Sequence, residues 1–327
     1  IPVPLAGDDG LSVAADMAVV LAGAARAYAE LDLDAVLLLG DRTEVLAAAA
    51  AAVPLALPLI HLEGGHVTEG AADEAIRHAV TKLAALHFTA AEPYARRLVQ
   101  MGEAEDRVFV VGATGVDGLM AAPELSRDQL AARLGVGLDG GFLLVAFHPE
   151  TLSDRPPAEQ AAAFLDGLSL AQKGAAAGRA LVFTGANADA GGDAVTAALR
   201  RFAEERPGRA VLVPSLGHDL YAAALRACDA VIGNSSSGVI EAPAVGAPAV
   251  NVGDRQKGRL RPPGVIDCAL EPRAVADALA RALDPAFRAA LKTAPPPFGD
   301  GRAGRRIVEV LEGVDFAALR RKPFADR

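Results

Sequence analysis

Tryptophan is absent from the chain, tyrosine and methionine occur three times each, and aromatic residues make up only 4% of it. A core without large rings must close through small side chains, and a hydrophobic share of 52% with 33 glycines supplies them. Cysteine is nearly missing too. Cys228 and Cys268 are too few for a disulfide framework and lie in apolar, strand-like surroundings, so a reducing, cytoplasmic compartment is expected. Basic charge is in the minority, with 32 Lys and Arg against 41 Asp and Glu and a net charge of −9, which argues against a nucleic-acid surface. No run reads as a membrane span: the alanine-rich stretch after Val45 is broken by Pro54 and Pro58, and the start lacks the basic flank and apolar block of a signal peptide. The Gly-Lys-Ser/Thr phosphate loop and an early G-x-G-x-x-G are missing, so ATP hydrolysis and nicotinamide chemistry lack their usual signals and no cofactor is expected. His61 and His66 flank Glu63 in HLEGGH, but strand-and-loop spacing does not give the one-face geometry of a helical zinc motif; no metal is expected.

What is there is an alternation. A length of 327 residues suggests about two domains. Apolar runs at 35–39 (AVLLL), 56–62 (ALPLIHL), 86–90 (LHFTA) and 107–111 (RVFVV) are separated by helical patterns at 43–52, 73–85 and 92–101, after an opening helix at 11–31. A polar, Gly-rich passage, PELSRDQLAARLGVGLDGG, interrupts the pattern. It resumes with FLLVAF, ALVFT, RAVLV, AVI and APAVNV, again alternating with helices, and two or three helices run from Arg273 to the end. Buried strands alternating with helices mean parallel sheets covered on both faces. The fold class is therefore α/β with two Rossmann-like doubly wound domains, over 1–125 and 126–300, and 301–327 crosses back to the first. The chain begins at Ile1 with no strand before its first helix, a start that looks cut.

In such sheets a ligand sits beyond the carboxyl ends of the strands, so the residues directly after each strand matter most. Gly40, Asp41 and Arg42 follow the first run, Glu63, Gly64, Gly65 and His66 the second. His148, Pro149 and Glu150 follow FLLVAF, Asn187 lies beyond LVFT, and Arg255 follows VNV. Asp73 and Glu74 open a helix, with Arg77 and His78 one turn on. Their bland reading is an acidic first turn with Arg77 as an intrahelical partner. The stretch VIGNSSSGVIEAPAVGAPAVNVGDR reads as strand, polar turn, helix and strand. Ser235 and Ser236 cap a helix whose free amides suit a phosphate, Gly238 removes a Cβ from the approach, and Glu241 falls on the first turn. An ordinary capped helix is the competing account. His61 and His87, inside apolar strands, read as satisfied core histidines; His148, after a strand and before a proline, reads as functional.

The blocks LLLGDR, PLIHLEGGHVTEGAADEAIRHAVTKLAALHF, FHPET, GANADAGG and VIGNSSSGVIEAPAVGAPAVNVGDRQKGRL resemble the hydrolysing UDP-N-acetylglucosamine 2-epimerases of sialic-acid and legionaminic-acid synthesis, over nearly the whole chain. The resemblance implies a glycosyltransferase-B type fold with the active site in the cleft, a nucleotide-sugar substrate, no cofactor and a homodimer or higher homo-oligomer. It makes Asp41, Glu63, Asp73 and Glu74 the catalytic carboxylates. Ser235, Ser236 and Glu241 become the nucleotide cradle, with Glu241 on the ribose hydroxyls, and Arg42, Asn187, His148 and Arg255 surround diphosphate and uridine. His148 is also a candidate for the catalytic set. The family's first strand and its following loop, which carries a nucleotide-binding arginine, have no counterpart here. A non-hydrolysing epimerase, a glycosyltransferase of the same fold and a catalytically impaired nucleotide-sugar binder are the competing functions.

Overall fold

Short apolar strands bounded by glycine and polar residues cannot satisfy their backbone alone, and in this chain they pair in parallel to form two sheets. The computed structural model describes residues 1–2, 10–69, 73–150, 153–186, 191–291, 293–294 and 297–326. These fall into two units, Ile1–Asp117 with Phe298–Arg327, and Gly118–Pro297. The sequence-based borders lie a few residues further along the chain.

The first unit runs α1 (Gly10–Glu30), β1 (Val36–Leu39), α2 (Thr43–Ala52), β2 (Leu59–Leu62), α3 (Asp73–Leu83), β3 (Leu86–Thr89), α4 (Glu92–Gln100) and β4 (Val108–Val110), followed by α5 (Thr114–Ala121). Its sheet has the order β1-β2-β3-β4, all parallel. The buried alanines Ala47, Ala49, Ala51 and Ala52 line α2, so the helix approaches the sheet without large side chains. Helix α1 packs along α2. By length and composition α1 is apolar enough to cross a membrane, contrary to the expectation that no run qualifies. Its pattern escapes a charge-and-length scan because Asp16, Arg26 and Glu30 are spread along it.

The second unit contains α6 (Arg127–Leu134), β5 (Phe142–Ala146), α7 (Pro157–Gln172), β6 (Ala180–Thr184), α8 (Gly192–Glu204), β7 (Ala210–Val213), α9 (Gly217–Ala227), β8 (Ala230–Gly233), α10 (Ser236–Ala244), β9 (Ala249–Val252), β10 (Val265–Cys268), α11 (Pro272–Ala282) and α12 (Pro285–Leu291). Its parallel sheet has the order β10-β9-β8-β5-β6-β7. Leu143, Leu144 and Val145 of β5 are fully buried, each contributing roughly 1.5–3 kcal/mol. Phe147 stacks on Phe164 with ring centroids 4.4 Å apart, one of few places where aromatic bulk fills the core. From β5 the chain moves to one side for β6 and β7, then returns to the other side for β8. The crevice beyond β5 and β8 is thus a topological switch point, where doubly wound sheets bind ligands.

Several elements were not anticipated. The passage around 123–141 is not only linker: Ser126 and Gln129 form a capping box that starts α6, and Gly135, at φ 69°, ends it. Strand β10 follows a Pro-Pro-Gly turn and carries a charged residue, Asp267, which hid its period. Among the described residues four helices, not two or three, follow Glu271, the last being α13 (Ala303–Leu311) and α14 (Phe316–Leu319). Ala303, Ile307 and Leu319 enter the core of the first unit beside Ile60, Leu62, Leu86 and Phe88. Asp117 caps α13 through the amides of Ala303 and Gly304, at 2.8 and 2.6 Å.

Beyond α14 the tail is fastened by charge. Lys322 Nζ donates to the carbonyl oxygens of Thr81 and Lys82, at 3.0 and 2.9 Å, and lies 2.7 Å from Glu103 Oε2. Glu103 also takes Lys82 Nζ at 2.7 Å and His87 Nε2 at 2.8 Å. Burial alone would raise the Glu103 carboxyl, but hydrogen bonds from His87, Lys322 and Lys82 bring it down to about 2.

Candidate active site

In the first unit the residues after β1 and β2 meet the first turns of α3, and one side chain joins them. Arg77 is 1% exposed. Its Nε donates to Asp41 Oδ2 at 2.8 Å and its Nη2 to the same oxygen; Nη1 reaches the carbonyl oxygen of His66 at 3.0 Å, and Nη2 the Thr68 hydroxyl at 3.0 Å. Glu74 Oε2 lies 3.5 Å from Arg77 Nη1 and accepts from the amide of Thr68. Arg77 thus keeps an intrahelical acidic partner in Glu74, but it is buried and its closer bonds go to Asp41. It is the cation that lets Asp41 and Glu74 stay close together inside the fold.

Glu63 directly follows β2 and has φ 65°, in the left-handed region that non-glycine residues rarely enter. Such a backbone costs about 1–3 kcal/mol and persists where the surroundings hold it. Here Oε1 accepts from the Thr114 amide at 2.8 Å and the Thr114 hydroxyl at 3.2 Å, and Oε2 faces His66 Nε2 at 3.2 Å. His61, two residues earlier within β2, is the satisfied core histidine expected of it. Its Nε2 is 3.0 Å from the carbonyl oxygen of Gly40 and its Nδ1 3.2 Å from Thr81 Oγ1. Because the carbonyl can only accept, Nε2 carries the proton and Nδ1 accepts from threonine. Burial lowers this imidazole to about 4.

Asp73 is the first residue of α3 and is exposed. Arg42 takes another course: its side chain is 66% exposed and its Nε donates to Glu44 at 2.9 Å, away from the other candidates.

In the second unit the switch point is built by close backbone approach. Gly233 ends β8 at φ 143°, and a Cβ there would run into the carbonyl oxygen of Ala146. Glycine thus lets β5 and β8 stay paired to their last residues. Asn234 then clamps the next segment, its Oδ1 accepting from the His148 amide at 2.7 Å and its Nδ2 donating to the His148 carbonyl at 2.8 Å. His148 itself is buried. Ser235 is the N-cap of α10, accepting from the Ser237 amide at 3.4 Å, and Ser236 is the first helical residue. Arg255 Nη1 donates to the carbonyl oxygen of Asn234 at 3.2 Å, which places a guanidinium beside the start of α10. The backbone of that arginine is fixed by Glu150, whose Oε1 accepts from the amides of Asp254 and Arg255 at 2.8 and 3.3 Å. Helix amides, cap hydroxyls and an arginine make a site suited to a phosphate group.

Two details of the sequence reading change. Helix α10 begins earlier than supposed, so Glu241 is on its second turn. Burial raises its carboxyl, opposed by the Ser237 hydroxyl, which also sits 2.5 Å from Tyr221 Oη. A Cβ on Gly238 would lie 3.7 Å from Val231 Cγ1 and 3.9 Å from Ala249 Cβ, so this glycine faces the sheet and does not clear the phosphate approach. Asn187 lies outside the described residues. Thr114 and Asn234 are absent from the sequence-based site, although both follow strands, whereas Glu150, named there only as a strand end, acts through the backbone of Asp254 and Arg255.

The family model for UDP-N-acetylglucosamine 2-epimerase matches residues 1–312. A Campylobacter jejuni protein, GDP/UDP-N,N'-diacetylbacillosamine 2-epimerase (hydrolyzing), is 36% identical over 82% of this chain and 68% of its own length. The Legionella pneumophila UDP-N,N'-diacetylbacillosamine 2-epimerase (hydrolyzing) is 33% identical over 96% of this chain and 80% of its own. Among solved structures, the Neisseria meningitidis UDP-GlcNAc 2-epimerase bound to UDP-GlcNAc superposes with a TM-score of 0.79 at 19% identity, covering 92% of this chain and 82% of that one. The fold is α/β with two Rossmann-like units of the glycosyltransferase-B type, and the chain belongs to the UDP-N-acetylglucosamine 2-epimerase family.

Proposed function

We propose that the chain is a hydrolysing 2-epimerase, converting a UDP- or GDP-linked 2-acetamido sugar into the nucleoside diphosphate and the free 2-epimer. The substrate is UDP-N-acetylglucosamine or its 2,4-diacetamido-6-deoxy analogue, and the product an N-acetylmannosamine-type sugar. The observation that carries the reading is the acidic group of the first unit: Asp41 and Glu74 on the buried Arg77, and Glu63 linked to the same arginine through His66. The two hydrolysing relatives support it.

The chemistry requires such a group. Carbon 2 of a 2-acetamido sugar bears no carbonyl, so its proton is not acidic until the bond from carbon 1 to the diphosphate stretches. As that bond opens, oxocarbenium character grows, a carboxylate removes the carbon 2 proton, and a 2-acetamidoglucal forms. Arg255 and the α10 amides stabilise the departing diphosphate in this scheme, and the carboxylates of the first unit stabilise the cation. Water adds at carbon 1 and a proton returns to the other face of carbon 2. Glu63 or Asp41 serves as the acid/base, with Asp73 and Glu74 supporting; a positioned acid or base gives about a hundred- to ten-thousand-fold.

The test is incubation with UDP-N-acetylglucosamine, its diacetamido analogue and a GDP-linked counterpart in deuterium oxide, with NMR of the sugar. Free 2-epimer deuterated at carbon 2 supports the proposal. A 2-epimer still joined to the nucleotide establishes the non-hydrolysing reaction instead, and binding without turnover establishes a nucleotide-sugar binder. Glu63→Gln with undiminished turnover and deuterium incorporation removes Glu63 from its role. Arg255→Ala should weaken UDP binding about ten- to a hundredfold, read by calorimetry.

A further inference from the structure

We propose that His66 is a positioning residue for Glu63: its imidazole holds one carboxylate oxygen and so fixes the direction in which Glu63 faces a substrate. The inference deepens the reading above and rests on Glu63 being an acid/base of that reaction.

The pair is produced by the backbone. In H-L-E-G-G-H the chain leaves β2 with Glu63 at φ 65° and Gly65 at φ 82°, and a Cβ on Gly65 would run into the carbonyl group of Tyr94. These two turns reverse the chain within three residues and bring His66 Nε2 to 3.2 Å from Glu63 Oε2. An Ala at 65 could not make this approach. The loop is then pinned on both sides: Arg97 donates to the Gly65 carbonyl, and Arg77 Nη1 to the His66 carbonyl at 3.0 Å. The His66 ring stacks on Tyr94 with centroids 4.0 Å apart, and the side chain is 4% exposed.

The two oxygens of Glu63 consequently have different kinds of partner. Oε1 is held by the Thr114 amide and hydroxyl, which do not titrate at ordinary pH. Oε2 is held by the imidazole. A carboxylate oxygen accepts, so His66 Nε2 carries the proton that holds it, while Arg77 from α3 and Arg97 from α4 fix the loop backbone on either side. A merely structural histidine in this place would need only the stack on Tyr94. Its nitrogen need not face the one carboxylate that sits in a strained backbone.

The experiment has two arms. In the first, His66→Gln and His66→Phe are compared for turnover of the nucleotide sugar that the wild type uses. Glutamine keeps a donor for Oε2, so its kcat should stay within about tenfold of wild type, whereas phenylalanine keeps a ring on Tyr94 but offers no donor, so its kcat should fall about ten- to a hundredfold further while KM changes less than about threefold. Equal kcat in the two variants overturns the proposal. In the second, crystal structures of the wild type and of His66→Phe are compared: the Glu63 carboxylate should leave its wild-type direction in the variant, and an unchanged carboxylate overturns the proposal. A wild-type chain that turns over no nucleotide sugar sinks the functional reading instead, and the structures still decide whether His66 positions Glu63.

Discussion

Acid should destabilise the first unit through His61, and the size of the effect follows from its burial. The imidazole is fully enclosed and is lowered from 6.5 to about 4, because burial penalises its charged form and the Gly40 carbonyl only partly offsets this. The sign follows from proton counts: between 6.5 and about 4 the unfolded chain binds a proton at this position and the folded one does not. Stability is therefore fully present above about pH 6.5 and is lost as pH falls towards about 4. At about 1.36 kcal/mol per pH unit the gap amounts to about 3 kcal/mol. His87, also lowered by burial, and Glu103, held down to about 2, add losses of the same sign, so a variant is needed to isolate His61. His61→Gln can keep the bond to Gly40 and does not titrate. It leaves the Thr81 hydroxyl without its acceptor, which should cost about 1–3 kcal/mol at pH 7. Urea unfolding of both proteins from pH 7 to 4 should show the two stabilities converging as pH falls. Parallel pH dependences would falsify the assignment of a buried neutral imidazole.

Three further outcomes follow from the same coordinates. Gly233→Ala forces a Cβ against the Ala146 carbonyl in a backbone that alanine avoids, and should cost about 2–4 kcal/mol with loss of UDP binding; unchanged thermal unfolding would refute the close approach. Arg77→Met leaves Asp41 and Glu74 without their shared cation and should destabilise by roughly 3–5 kcal/mol in urea at pH 7; unchanged stability would refute the shared-cation role. Lys322→Met removes one of the donors to Glu103 and should raise the pH of acid unfolding while exposing residues 320–326 to protease; an unchanged cleavage rate would show that the ion pair does not hold the tail.

Much of the fold was legible because the parallel strands are uniformly apolar. FLLVA and ALVFT are buried almost throughout, AVLLL is equally apolar although Leu37 and Leu39 are exposed at the sheet edge, and such runs separated by helical periods have few other solutions. The elements that went unread lack that contrast. Strand β10 is four residues with an aspartate inside it, bound sideways to Asn251 and Arg261. Helix α6 is mostly polar outside Leu130 and Leu134, and only its Ser126–Gln129 box announces it. Helix α1 was legible as a helix, but the single charges scattered along it hid how apolar it is over its length.

The site was legible to the extent that strand ends locate it, and no further, because a strand end does not tell which polar groups face a ligand and which face one another. Asn234 and Glu150 spend their hydrogen bonds on the backbone of His148 and of Asp254 and Arg255, so they shape the phosphate site without offering it a free group. Arg77 looked like a surface partner because helical spacing ranks the nearest acid first, whereas burial and the turn after β1 give it to Asp41. The Gly-Gly after Glu63 carried the sharpest unread signal. Two glycines following an acid at a strand end are what a chain needs to double back on itself, and doubling back is what sets His66 against Glu63. The same letters read as a long, acceptor-rich loop when taken only as composition, and as a carboxylate-imidazole pair once the positive φ angles are known.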